Sequence, residues 1–410
     1  MERSRSYIPQ YLLEDILVRL PVKSIIRFKC VNKSWITLFQ NPTFVTKQHH
    51  HQCSIQKNPS LLLHIWQQIN YPNSFNSSYT TKLLNLQYSD DEDPGVSRED
   101  MQFLLEILKN PNVDLSPRSY TCHCINGIFC MGNQTDGFVL RNPAMRESKL
   151  VPKPPNLAYL KSDTDFIWYV NTNTCAFGYD HNSNDYKVVR IAIYLRQPNQ
   201  VHPVAHVYTL STDSWRLIDA SSFDRSITGL YGDILREIFF NGAYHCIGVF
   251  RDESGQDCEI IVSFDMRDEV FRTIRMPDFS DNFDMKTLSV SRNCLVLIIC
   301  EVKVDNFDIW MMNEYGVEES WTKQFVIGPP LLPVELPLPL HGVLVGDKLL
   351  LVNELSHTCE GQQQIEQILL YDLVTKDIKN FQVKHSSFIS NVILYVESLV
   401  SITGGNVFES

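Results

Sequence analysis

No stretch of this 410-residue sequence is apolar for long enough to cross a membrane as a helix; its longest apolar run, Cys294 to Cys300, suits one buried strand. The beginning of the chain also lacks a basic segment leading into an apolar run and a small-residue cleavage site. The expected location is therefore cytoplasmic, with the nucleus as a second possibility. Positive charge is short: 36 Lys and Arg stand against 47 Asp and Glu, a formal net charge of -11. A face that neutralises nucleic-acid phosphates is not expected, whereas a basic protein partner would be steered towards such a chain. Regular cysteine spacing is missing too. Eleven cysteines, an odd number, read as reduced core thiols and not as a disulfide framework.

Catalytic vocabulary is equally thin. The sequence has no Gly-rich phosphate loop, no G-x-S-x-G elbow and no H-E-x-x-H pair. Its carboxylates gather in turns, where Asp and Asn bond the local backbone. His49-His50-His51 with Cys53 invites a metal reading, yet consecutive histidines cannot all face one ion and no second ligand cluster follows. The preferred reading is the solvated end of a helix. Cys122, Cys124 and Cys130 fall on strand-like segments and read as core filler. The expectation is a protein with no catalytic residues, no metal and no cofactor.

What is present is enough for folded domains. A hydrophobic fraction of 44% with 20% charged residues is that of a soluble globular protein, and the length exceeds one ordinary domain. Residues 5–50 read as a small helical module. Leu12, Leu13, Ile16, Leu17 and Leu20 recur at helical period between Pro9, which opens the helix, and Pro21, which closes it. Ile25, Ile26 and Phe28 form a second short apolar element, and Val31, Trp35, Ile36, Leu38 and Phe39 a third, stopped by Asn41-Pro42. Three short helices cannot hide that much apolar surface. Some of it should be covered by another molecule, or else the helices cap the chain's own large domain.

Residue identities favour the first of these. Ile8-Pro9, Ile16-Leu17, Leu20-Pro21-Val22-Lys23-Ser24-Ile25, Arg27-Phe28-Lys29-Cys30-Val31 and Lys33-Ser34-Trp35 resemble the F-box in order and spacing. The resemblance implies binding to a Skp-type adaptor, and through it to cullin and RING subunits. It nominates Ile8, Pro9, Leu12, Ile16, Leu20, Pro21, Ile25 and Phe28 for the adaptor face, and Trp35 as an anchor between helices. Asn32 stands where the family commonly has cysteine.

Beyond about residue 60 the pattern is β. A strand, a turn rich in Asp, Asn, Ser or Thr, and a second strand recur at Phe138 to Leu150, Phe177 to Ile191, Val207 to Ile218, Ile261 to Ile274, Ile309 to Ile327 and Leu369 to Val383. Asn126-Gly127 and Asn241-Gly242 are strong hairpin cues, and Gly346-Asp347 a weaker one. The chain thus reads as mainly β with a small N-terminal α module: a three-helix F-box followed by a β-propeller-like, kelch-like repeat domain, with a β-sandwich as the other architecture. Residues 51–118 read as a connecting segment and the start of the β-domain, with 65–100 a long surface loop and Met101 to Leu108 a short helix; residues 119–403 hold the repeats. Gly328 to Gly342, with five prolines, reads as an extended connector. Trp215, Phe271, Trp310 and Trp321 recur at similar places and read as packing between strands.

This region carries a resemblance of its own. Asn142-Pro143-Ala144-Met145-Arg146, Phe177-Gly178-Tyr179-Asp180, Asp185-Tyr186-Lys187-Val188-Val189-Arg190, Val207-Tyr208, Asp213-Ser214-Trp215-Arg216 and the run from Ile309 to Lys323 are similar to the plant F-box-associated domain. Within that family the chain most resembles the S-locus F-box proteins of pollen. The resemblance implies a substrate-recognition subunit of an SCF-type (Skp–cullin–F-box) ubiquitin ligase, binding non-self S-RNases for degradation in self-incompatibility. Asp90, Asp91, Glu92, Asp93, Asp281, Asp284, Asp305 and Asp308 are candidates for meeting such a basic target, although charge runs usually stay solvated. An F-box receptor for another protein, or a propeller-type ligand-binding protein or enzyme with a helical cap, are the other readings.

Overall fold

A computed structural model describes residues 8–55, 60–70, 77–86, 96–97, 121–133, 137–155, 167–196, 201–231, 237–277, 285–301, 306–328, 340–353, 365–384 and 387–403. Four helices open it: α1 (Gln10–Val18), α2 (Val22–Phe28), α3 (Lys33–Gln40) and α4 (Pro42–Ile55). Proline sets their starts. The Pro9 carbonyl accepts from the amides of Leu12 and Leu13, and that of Pro21 from Ser24 and Ile25. Asn32 caps α3 by accepting from the Ser34 amide at 3.0 Å, so the residue that departs from the common F-box cysteine serves as an N-cap.

The fourth helix corrects the sequence reading. Asn41-Pro42 ends α3 as expected, but it also begins α4: the Asn41 side chain accepts from the amides of Thr43 (2.9 Å) and Phe44 (3.4 Å), and Pro42 occupies the first turn, where no amide is missed. Helix α4 then locks the corner between α1 and α2. Gln48 and Gln52 both donate to the Leu20 carbonyl, at 3.3 and 3.1 Å. The histidine run divides: His50 and Cys53 are exposed, as expected of a solvated helix end, while His49 is half-buried and burial lowers its pKa.

Among the described residues, six antiparallel sheets follow, five with four strands and one with five. Five of them lie in sequence order within residues 121–151, 167–218, 227–274, 285–327 and 340–384. The sixth joins the two ends of the β-domain. Strand β1 (Ser60–Asn70) pairs antiparallel with β2 (Ser77–Leu86) on one side and with the last strand, Ser387–Tyr395, on the other. The ring of a β-propeller is closed by this pairing, which leaves fewer open edges. Residues 65–70 and 77–86 are thus strand where a long loop was expected over 65–100; Met101 to Leu108 falls outside the described residues. The six repeats and six sheets agree only in number. Two repeats, 177–191 and 207–218, share one sheet, and the closing sheet contains none.

Turn chemistry explains why the repeats were legible. Asp180, Asp265 and Asp372 each accept two amides from the turn that follows, and Asn142 accepts from Met145. Each turn then closes on a left-handed residue: Asn184, Glu269, Lys376 and Arg146 have φ of 56, 56, 65 and 57°. Asn126-Gly127 and Asn241-Gly242 form the expected hairpin turns, with φ of 50 and 75° in both. Their surroundings differ. A Cβ on Gly127 would stand 2.6 Å from the Ser398 Cβ and 2.7 Å from the Val396 carbonyl, whereas one on Gly242 would meet nothing within 4 Å. Gly242→Ala is expected to cost about 1–2 kcal/mol for the left-handed backbone alone, and Gly127→Ala about 1–3 kcal/mol more for the clash. Equal losses in chemical denaturation would contradict this.

The recurrent aromatics join neighbouring sheets. Trp215 packs on Phe138 and Tyr208, and its indole N–H donates to Pro152 at 2.6 Å; Trp321 donates to the Arg275 carbonyl at 3.0 Å. His245 makes another such joint, its Nε2 lying 2.7 Å from the Tyr315 hydroxyl. Burial pushes the His245 pKa down to about 4. An unfolded histidine binds its proton near pH 6.5, so this site stabilises the fold fully above that value and loses the contribution as pH falls towards 4. The loss amounts to roughly 3 kcal/mol at most. His245→Gln is expected to flatten the dependence of stability on pH between 6.5 and 4; denaturation curves of equal slope for both proteins would refute the assignment.

Candidate docking surfaces

Helix α1 and the residues flanking it carry two apolar stripes facing about 100° apart around the axis. Leu13, Leu17 and Leu20 point inward: Leu17 is 2% exposed and the other two pack against the same core. Ile8, just before the helix, Leu12 and Ile16 form the second stripe, at intervals of four residues, and are 53, 43 and 52% exposed. Tyr11 extends it. Among the described residues no strand covers these side chains, and contiguous exposed apolar surface of this kind marks a docking face.

The sequence-nominated adaptor residues therefore divide. Ile8, Pro9, Leu12, Ile16 and Pro21 are exposed, while Leu20 and Phe28 are half-buried. Ile25 is a correction. It is fully buried beside Leu17, Val22 and Phe39, because α2 turns that side chain into the interior, so it supports the face from behind. Trp35 performs the anchoring role expected of it, with its ring 5.7 Å from Phe28 and 6.2 Å from Phe39. The helical module exposes mixed charge with a basic excess: Arg19, Lys23, Arg27 and Lys33 are exposed, and so is Asp15 beside Ile16 on α1. Residues 1–55 hold eight Lys and Arg against three Asp and Glu, a formal +5, so the remainder of the chain carries -16 of the total -11.

Of the acidic candidates, Asp90, Asp91, Glu92, Asp93, Asp281, Asp284 and Asp305 lie outside the described residues. Asp308 lies within them and is buried, with its carboxylate paired to Lys323, so it is not free to meet a partner at the surface. Its acidity is spent within the sheet. The histidine and cysteine candidates bring no ligand cluster together: His49 Nε2 and Cys53 Sγ are 3.7 Å apart, and among the described residues no three His, Cys, Asp or Glu converge. Cys130 is buried, and burial raises the Cys124 thiol. No helix of the described residues is long and apolar enough to cross a membrane.

Residues 6–47 match the F-box domain family, and residues 77–402 match the family described as F-box associated beta propeller domain. The chain belongs to the F-box proteins that carry this associated propeller. Among its relatives is F-box protein CPR1 of Arabidopsis thaliana, 25% identical over 411 residues, covering 96% of this chain and 88% of the relative. An F-box/kelch-repeat protein of the same plant is 29% identical over 355 residues, covering 82% of this chain and 84% of the relative. Solved structures resembling this F-box protein include xylan β-1,4-xylosidase from Bacillus halodurans, at 10% identity and a TM-score of 0.33, covering 63% of this chain and 54% of that one. An α-L-arabinofuranosidase from Lactobacillus brevis gives 8% and 0.33, covering 64% and 89%. Scores this low carry no argument about fold or activity.

Proposed function

We propose that this F-box protein is the substrate-recognition subunit of an SCF-type ubiquitin ligase: α1 and the α1–α2 corner dock a Skp-type adaptor, and the propeller holds a protein target. The outward stripe of Ile8, Leu12 and Ile16 carries this reading, because apolar side chains at half exposure on a stable helix are stabilised by a partner's surface. No bond chemistry is required of this chain. It raises the local concentration of a target lysine beside a ubiquitin-charged enzyme supplied through the cullin and RING subunits. The test is direct binding of the purified protein to a Skp-type adaptor; absence of a complex at micromolar concentrations would end the proposal.

The finer reading is that the target is a basic S-RNase of the pistil. Its support is the sequence resemblance to pollen S-locus F-box proteins, together with the -16 concentrated outside the helical module, which would steer a basic partner to the propeller. Binding to a panel of S-RNases is expected, with an association rate that falls about tenfold or more between low and physiological salt. Failure to bind any member of the panel would leave a receptor for a different protein.

A further inference from the structure

The segment following the last strand runs back over the sheet at 121–151 and lies between that sheet and the helices. Asn142, fully buried, donates from Nδ2 to the carbonyls of Ser398 (3.0 Å) and Val400 (2.7 Å). The Glu147 carboxylate accepts from the Ser401 hydroxyl (2.9 Å) and the Ile402 amide (2.7 Å). Gly127 leaves no room for a Cβ against Val396 and Ser398. On its other side the segment faces the helical module. Leu399, Val400 and Ile402 are buried in one apolar cluster with Leu17, Val22, Ile25 and Phe39 of the helices and with Phe138 and Leu140 of the sheet. The same stretch of chain, one residue earlier, ends the strand that closes the ring: Tyr395 pairs with Ser60.

We propose that residues 396–402 are a clasp that seats the helical module on the propeller, so that ring closure by Ser387–Tyr395 and the positioning of the adaptor-docking face form one coupled event. The physical reason is geometric. The segment gives two carbonyls and one amide to polar side chains of the sheet, and its apolar side chains lie in a cluster shared by the helices and that sheet, so it is bound to both neighbours at once. The orientation of the exposed α1 stripe relative to the propeller is thereby fixed from the far end of the chain, and Asn142 and Glu147 act as positioning residues.

Asn142→Asp combined with Glu147→Gln tests this in the full chain. The aspartate keeps the turn-closing acceptor for the Met145 amide but aims an oxygen, in place of a donor, at the Ser398 and Val400 carbonyls. Two measurements are made: amide hydrogen exchange across the protein, and the distance distribution between probes placed at positions 33 and 374, both exposed. The expected result is exchange in α4 and 396–402 accelerated at least tenfold, a broadened distance distribution, and unchanged protection in the strands at 243–265. Protection in α4 and a distance distribution identical to the parent would overturn the clasp. So would a uniform loss of protection through every sheet, which marks a segment that only adds global stability. Adaptor capture by the variant is expected to match the parent, so a failure of the ligase reading in the parent protein is distinguishable from a failure here.

Discussion

Aspartate at both Leu12 and Ile16 is expected to abolish capture by a Skp-type adaptor while leaving the fold intact. Each side chain is already about half buried in the free protein, so full burial against a partner adds about 0.8–1.5 kcal/mol, half of the gain for a fully exposed side chain. Losing both weakens the complex by roughly 10- to 100-fold, and two carboxylates forced into an apolar contact carry the loss beyond that. The folded protein should hardly notice. Exposed substitutions away from caps and cores usually change stability by no more than about 0.5 kcal/mol. Leu17→Ala supplies the opposite control: one position along the helix, it removes a buried side chain and is expected to cost about 2–5 kcal/mol of stability. Adaptor binding by the double aspartate variant within tenfold of the parent, measured by calorimetry, would show that the outward stripe is not the docking face.

The second large effect concerns the joint between the sheets at 167–218 and 227–274. Lys187 Nζ lies 2.9 Å from Asp180, 3.0 Å from Glu269 and 2.6 Å from the Met266 carbonyl, with all three side chains largely shielded from water. Lys187→Met keeps the length of the side chain and removes its charge. Glu269 retains Arg216, but Asp180 is left as a buried carboxylate held by Ser183 and the turn amides alone. Breaking a buried pair in this way costs about 3–5 kcal/mol. The loss should depend on pH in a defined direction. Burial raises the Asp180 carboxyl, but bonds from Ser183, Lys187 and Asn182 outweigh it and hold the group below its ordinary value. The parent therefore keeps this stabilisation above about pH 4 and loses it as pH falls through the depressed pKa. Without Lys187 the balance tips towards burial, and acidification neutralises the stranded carboxylate. The stability gap between the two proteins should accordingly be widest near neutrality and narrow on acidification. A gap below about 1 kcal/mol at pH 7, or one that stays constant down to pH 4, would contradict the account.

Lys187 also shows why chemistry-bearing residues in this sequence resist interpretation one at a time. In the sequence it belongs to a strand, Asp180 to the preceding turn and Glu269 to a distant one, and nothing in their spacing joins them. Asp308 is a similar case. As a letter it belonged with the acidic residues suited to a basic partner, while in the folded sheet Lys323 on the adjacent strand takes its charge. Strand register decides which charges remain free, and register between segments is a tertiary property.

Local chemistry by itself settled a good deal. Prolines 9 and 21 fixed two helix starts, Asn-Gly steps fixed two hairpins, and Asp or Asn at the repeated turns announced a β-domain, because each acts through backbone groups within a few residues. The family resemblance was legible for the same reason. Only the folded chain decided the rest: that α1 divides its leucines and isoleucines between an inner and an outer stripe, that Ile25 faces inward, that Asn41-Pro42 begins a helix as well as ending one, and that residues 387–402 both close the ring and hold the helices. Each of these depends on what lies opposite a side chain or strand edge. Contacts between opposite ends of a chain leave no period in the sequence that a local reading could follow.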